Sequence, residues 1–203
     1  MNQAVSLDEV KAYLRIGGSA TDSIIRALAA DCEEWVQRFC GVQFGETRRT
    51  DLLDGGGKNL WLARGPLRQV VSVVDREQPD AAVVADVDYF VVVGDRLLKR
   101  PGGMYGAWRS RLDQVAERWA SGPERWQVTY DCGYALPDTG EATCYPLPAG
   151  LKVAVLELTR RAFDRGGREG EPRVVWQALA GTDILQLLAP YMRLEPDPKG
   201  ART

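Results

Sequence analysis

The side chains best suited to chemistry are Cys32, Cys40, Cys132 and Cys144, the loop Gly55-Gly56-Gly57-Lys58, and Asp86 with Asp88. A zinc ion would need thiolates or imidazoles in a tetrahedral set, commonly from closely spaced pairs. The chain has no histidine and no C-x-x-C, so only an all-cysteine set drawn from distant positions would serve. Cys32 falls on the apolar face of a predicted helix, where a small buried thiol is the simpler account. The glycine loop departs from a phosphate-binding loop at both ends. Leu52 stands where the first glycine belongs, and Asn59 where a Ser or Thr would ligate magnesium. It reads as a hairpin turn, and Asp86 and Asp88, just before a strand, read as a solvated turn.

Enzymatic readings fare poorly for a second reason. Without histidine, the usual acid–base partner of a Ser or Cys nucleophile is missing, and no G-x-S-x-G elbow is present. No catalytic, cofactor-binding or metal residue is therefore assigned, and the chain is expected not to be an enzyme. Carboxylate pairs that only folding brings together leave no mark in a sequence, so a carboxylate- or thiol-based enzyme stays a third reading.

Whatever the chain does must be positioned by 203 residues of 45% hydrophobic content. That suffices for one sizeable core, or one domain with a protruding insertion. A formal net charge of −2 gives no global attraction to nucleic acid or to an anionic membrane. No segment resembles a signal peptide and none approaches the ~20 apolar residues of a membrane span. A reducing cytoplasm and no membrane partner are the expectation.

Ser6 and Glu9 have capping-box spacing, which predicts a first helix over about Leu7 to Ile16, stopped by Gly17 and Gly18. A second starts at Thr21 or Asp22, presents Ile25, Leu28, Cys32, Trp35, Val36 and Phe39 on one apolar face, and stops at Gly41. The two make a helical hairpin. Its second helix carries Asp31, Glu33 and Glu34 against Arg26 and Arg38, the wrong balance for a helix that reads DNA.

The period then changes. Strands are predicted at Thr47–Leu53, Asn59–Leu62 and Val70–Val74, and a tight hairpin pairs Tyr89–Val93 with Arg96–Lys99 around Gly94-Asp95. Arg109–Ala120 is a candidate helix inside a Trp-rich insertion, and Gln127–Tyr130 is a further strand. Pro148 suits the first turn of a helix over about Ala149–Phe163, and Asp183–Met192 reads as a short apolar helix. The fold class is α+β: a helical core, made of the N-terminal hairpin and a C-terminal helix, with an inserted small antiparallel β domain. Its parts are residues 1–45, a β-rich insertion 46–135 with a Trp-rich loop 101–126, and 136–203, as one structural domain overall.

Two residue sets suggest contacts. Trp108, Trp119 and Trp126 concentrate in and beside the insertion, and aromatic residues are enriched at protein interfaces. Core packing is the competing account for each. Arg160, Arg161, Arg165, Arg168 and Arg173 cluster near Glu157, Asp164, Glu169 and Glu171. They read as a solvated helix end and loop, or as contacts to DNA or an acidic partner.

In order and spacing, these segments resemble the head-to-tail connector (head completion adaptor) family of tailed bacteriophages. The resemblance rests on the opening helix Leu7-Asp8-Glu9-Val10-Lys11-Ala12-Tyr13-Leu14-Arg15 and on a second helix from Asp22 to Gly41. A strand and Pro-Leu turn at Leu60–Leu67, and the Val-rich Val70–Val74, follow. Next come Val128-Thr129-Tyr130-Asp131-Cys132-Gly133-Tyr134, the Pro148 helix and the closing Leu187-Leu188-Ala189-Pro190-Tyr191-Met192-Arg193. The chain departs from the family at Phe163-Asp164-Arg165, where an aromatic-Glu-x-Arg stretch is usual, and in the length of Pro101–Arg125.

The resemblance implies a virion structural protein of the neck, made in the host cytoplasm and assembled as a ring of twelve copies beneath the portal protein. Such a ring extends the channel for packaged DNA and docks a neck or tail protein, such as a stopper or tail terminator. The contact elements it suggests are Trp108, Trp119 and Trp126, and Leu187, Leu188, Tyr191 and Met192. Arg160, Arg161, Arg165, Arg168 and Arg173 are the candidates for the channel or a partner. The alternative is a small cytoplasmic nucleic-acid-binding or regulatory adaptor using the helical hairpin.

Overall fold

The computed structural model describes residues 4–80, 83, 90–92, 97–99, 118–136, 145–166 and 176–192. The chain divides into two compact units, one of Met1–Gly45 with Tyr134–Thr203 and one of Glu46–Gly133.

In the helical unit, α1 spans Leu7–Leu14 and opens on the expected capping box. Ser6 Oγ accepts the Glu9 N–H at 3.2 Å, and the Glu9 carboxylate accepts the Ser6 N–H at 2.9 Å, so two otherwise orphaned donors are satisfied. The helix ends short of the predicted Ile16 because Arg15 takes a left-handed conformation (φ 58°) and returns its N–H to Ala12. Lys11 then ties the turn to the next helix, donating to the Gly18 carbonyl and to Asp22 Oδ1, the latter at 2.8 Å. Helix α2, Asp22–Cys40, ends at Gly41 with φ 65°, where the missing Cβ makes a left-handed cap inexpensive.

Helix α3 spans Ala149–Gly166, one turn beyond expectation, with the Pro148 carbonyl accepting from Leu151 and Lys152. Helix α4 runs Trp176–Leu188, starting before the predicted Asp183 and broken at Gly181 (φ 63°, ψ 176°). A 3-10 turn, Ala189–Tyr191, follows. Ile25, Ala29, Cys32 and Val36 of α2 share one buried cluster with Leu151, Val155 and Leu158 of α3 and Ile184 and Leu188 of α4. Trp35, expected in the core, is half-buried and stacks on Phe39 at 4.8 Å between centroids.

The β unit holds β1 (Thr47–Leu53), β2 (Asn59–Trp61), β3 (Leu67–Asp75), β4 (Phe90–Val92), β5 (Leu97–Lys99) and β6 (Trp126–Cys132). They form two antiparallel three-stranded sheets, ordered β1-β6-β3 and β2-β5-β4. In β6 the side chains at 126, 128, 130 and 132 are buried and those between are half-buried, the period-2 pattern of a sheet with one packed face. Trp126, Val128, Tyr130 and Cys132 meet Leu60, Leu62, Leu67, Val73 and Trp119 in the core of this unit.

The glycine loop is not the hairpin turn expected of it. Strands β1 and β2 belong to different sheets, and the loop between them packs on the chain at 119–122. Gly55 N–H donates to the Gly122 carbonyl at 3.2 Å, Gly56 N–H to the Trp119 carbonyl at 2.8 Å, and Trp119 N–H to the Gly57 carbonyl at 2.8 Å. Of the helix predicted at Arg109–Ala120, residues 109–117 lie outside the described residues, and 118–120 are not helical, the Trp119 backbone bonding to this loop instead. The Gly94-Asp95 turn also lies outside them, between strands that pair antiparallel as expected.

Candidate assembly surfaces

No group of three or more Cys, Asp or Glu side chains suited to a metal ion occurs among the described residues. Cys32 and Cys40 are buried in the helical core and Cys132 in the β core. Burial pushes each thiol up to about 12, away from the thiolate that nucleophilic or metal chemistry requires. Cys144, Asp86 and Asp88 lie outside the described residues. No described helix is long and apolar enough to cross a membrane.

The tryptophans divide. Trp108 lies outside the described residues. Trp119 and Trp126 are core residues rather than exposed anchors: they are 1% and 2% exposed and meet edge to face at 4.8 Å. The Trp126 indole N–H donates to the Ala120 carbonyl at 2.9 Å. What holds them inside is the glycine loop, which closes over the segment that carries Trp119.

The closing segment also turns inward in part. Leu188 is fully buried, whereas Leu187, Tyr191 and Met192 are half-buried. The Tyr191 ring lies on the first turn of α3, where a Cβ on Gly150 would come within 2.7 Å of its hydroxyl oxygen. That close approach explains a glycine inside a helix, where it otherwise costs about 1 kcal/mol relative to alanine.

The arginines are largely committed within the unit. Arg160 donates Nε and Nη2 to the Glu157 carboxylate at 2.9 and 2.6 Å and Nη1 to Asp164 at 2.9 Å. Arg161 donates to Glu157 at 2.9 Å and crosses to α4, reaching the Ala180 carbonyl at 2.8 Å and the Asp183 carboxylate. Tyr13 of α1 adds its hydroxyl to Glu157 at 3.0 Å. Glu157 thus joins α1 to α3, and the guanidinium of Arg160, foremost among its donors, holds its carboxyl down at about 2. Arg165 is exposed, with no ion-pair partner among the described residues, and Arg168 and Arg173 lie outside them.

Beside that hub lies a groove of about 690 Å³ between the end of α1 and α3. Leu14, Ile16 and Phe163 are half-buried in its wall, Tyr13 is 41% exposed, and Arg15, Arg160 and Asp164 complete the lining. Sequence reasoning did not find it, because its walls come from segments about 145 positions apart.

Another feature missed was Glu33. It stands among the acidic residues of α2 that weigh against DNA reading, but it is 6% exposed and accepts the Val5 N–H at 3.1 Å. Its position in the series Ile25, Ala29, Cys32, Val36 was the available signal, since 33 falls on the same helical face.

The class these features define is an α+β module: a helical unit and an antiparallel β unit, the helical one bearing an ion-pair hub at Glu157 and a groove beside it. Residues 4–74 match the family described as phage gp6-like head-tail connector protein, from just before α1 to near the end of β3. The resemblance read from the sequence is thus found independently over that segment. No curated protein matches.

Solved structures share the fold over nearly the whole chain. A chain of "Virion of native gene transfer agent (GTA) particle" is 15% identical with a TM-score of 0.59, and 95% of this chain covers 91% of that one. A chain of "Neck of empty GTA particle computed with C6 symmetry" gives 14% and 0.58, and one of "Neck of native GTA particle computed with C12 symmetry" gives 16% and 0.54, with the same coverage. At these identities the likeness is one of fold.

Proposed function

We propose that this chain is a structural subunit of the neck of a phage-like particle, a head-to-tail connector. The observation that carries the reading is the connector-family match over residues 4–74, in a chain whose fold follows neck and virion chains across 95% of its length. Its mechanism is assembly. Copies join in a ring of twelve beneath the portal protein, extend the DNA channel and offer a surface to the next neck or tail protein. A ring is supported by the C6 and C12 symmetries applied to the similar neck structures.

The contact elements of this reading are Trp108 and the half-buried Leu187, Tyr191 and Met192. With Arg160 and Arg161 paired internally, Arg165, Arg168 and Arg173 are its candidates for DNA or an acidic partner. Light scattering and negative-stain imaging of the purified protein, alone and mixed with a portal protein, test it. Rings, or a monomer that joins portal rings, are expected. A monomer or dimer that ignores portals and binds DNA with a steep salt dependence overturns it in favour of a nucleic-acid adaptor.

A further inference from the structure

Helix α2 buries one side in the helical core and leaves the other uncovered. Ile24, Ala27, Asp31, Glu34 and Arg38 recur at helical spacing on the uncovered side, all exposed, with Ile24 at 55%. Ile24 is the one large apolar side chain on this exposed face, which otherwise carries Ala27 and charged residues. Glu34 and Arg38 pair with each other at 2.7 Å, and Asp31 has no ion-pair partner among the described residues. This face therefore carries one unmatched negative charge.

The groove at the end of α1 is its complement. It has apolar walls from Leu14, Ile16, Tyr13 and Phe163, and the Arg160–Asp164 pair on its rim is neutral. Arg15 is exposed and has no ion-pair partner among the described residues, so the rim carries one unmatched positive charge. The α2 face points away from the core that α2 shares with α3, so one subunit cannot bring its own two surfaces together.

We infer that the exposed face of α2 in one copy seats in the α1–α3 groove of a second copy, Ile24 entering between the apolar walls and Asp31 meeting Arg15. This is a heterologous contact, which closes a ring when the rotation between copies allows. The inference rests on the ring reading above and deepens it by naming the two surfaces. Apolar burial at Ile24 supplies the attraction, and the charge pair fixes register and excludes the wrong approach.

The test is the assembly of four variants, by light scattering and imaging, alone and on portal rings, with each fold checked by circular dichroism. Asp31→Arg and Arg15→Glu each place like charges together and are expected to raise the concentration for half-assembly about tenfold or more. The double variant Asp31→Arg/Arg15→Glu restores opposite charges and is expected to recover most of the loss. Ile24→Asp is expected to block assembly with the subunit still folded. Rings that form equally well in all four overturn the inference and leave the ring reading standing. Self-assembly kept but portal binding lost in Asp31→Arg overturns it too, giving the face to the portal. A wild-type protein that makes no ring alone or on portals sinks both.

Discussion

The Glu33 carboxylate, on the buried face of α2, accepts the backbone N–H of Val5 at 3.1 Å and so fastens the segment that leads into α1. Ala4 and Val5 are 3% and 1% exposed, so their amides are shielded from water. Burial raises the Glu33 pKa above its ordinary 4.5, against the lowering effect of the Val5 and Ala4 amides. The folded state therefore holds the proton more tightly than the unfolded chain. The stability from this group is complete below about pH 4.5 and is lost as pH rises through the raised value. Thermal unfolding across that range should show it, and Glu33→Gln, which keeps an acceptor for Val5, should remove this part of the slope. Glu33→Ala, which orphans buried amides, should cost about 1–3 kcal/mol.

Gly55 and Gly17 should respond oppositely to the same change. A Cβ on Gly55 would overlap the Ala120 carbonyl oxygen and lie 2.7 Å from its carbon, where only backbone can give way. Gly55→Ala should cost about 3 kcal/mol or more by urea unfolding, since the loop that covers Trp119 must move. At Gly17 nothing lies within 4 Å of such a Cβ, and Gly17→Ala should be neutral or stabilising by up to about 1 kcal/mol, through the unfolded chain.

Glu157 titrates in the other direction from Glu33. Arg160, then Arg161 and Tyr13, hold its folded pKa at about 2 against an ordinary 4.5. Its contribution is present above about pH 4.5 and lost as pH falls toward 2. Glu157→Gln should cost about 1 kcal/mol near neutrality, since the exposed Arg160 end of the network is screened by solvent, and the gap to wild type should close near pH 2. Acid titration followed by circular dichroism would reveal it, and an unchanged gap down to pH 2 would mean that Glu157 acts through packing instead.

Local rules explain which parts were legible beforehand. Ser6, Glu9 and Gly41 write their caps within four residues, so the bounds of α2 and the start of α1 were readable, and the alternation through β6 shows in its own seven residues. The end of α1 was not, because a left-handed Arg15 has no compositional mark where glycine is the usual signal. Nor was the glycine loop: its partner backbone lies about 65 positions away, and a triglycine looks the same whether it turns a hairpin or admits another chain segment. The contact surfaces suffered most. Trp119 and Trp126 are as compatible with a core as with an interface until the fold chooses, and the Arg15 groove exists only once α1 lies beside α3.

Asp75 and Arg125 close the β unit where β3 ends and β6 begins. Arg125 donates Nε to Asp75 Oδ1 at 2.9 Å and Nη2 to Oδ2 at 2.7 Å, a two-pronged pairing between side chains only 13% and 7% exposed. The same carboxylate accepts the Glu77 N–H at 3.0 Å, so it also shapes the turn leaving β3. Hydrogen bonds from Arg125, first among the causes, hold the Asp75 carboxyl below its usual range. Removing one partner leaves the other charge poorly solvated, and Asp75→Asn should cost about 2 kcal/mol by urea unfolding. Arg125 keeps a second ion pair, with Glu77 at 2.5 Å, which tempers the loss. In a double-mutant cycle Asp75→Ala and Arg125→Ala should couple by about 1 kcal/mol or more, whereas two independent surface charges would add. Additive costs would mean that Asp75 acts on the turn alone.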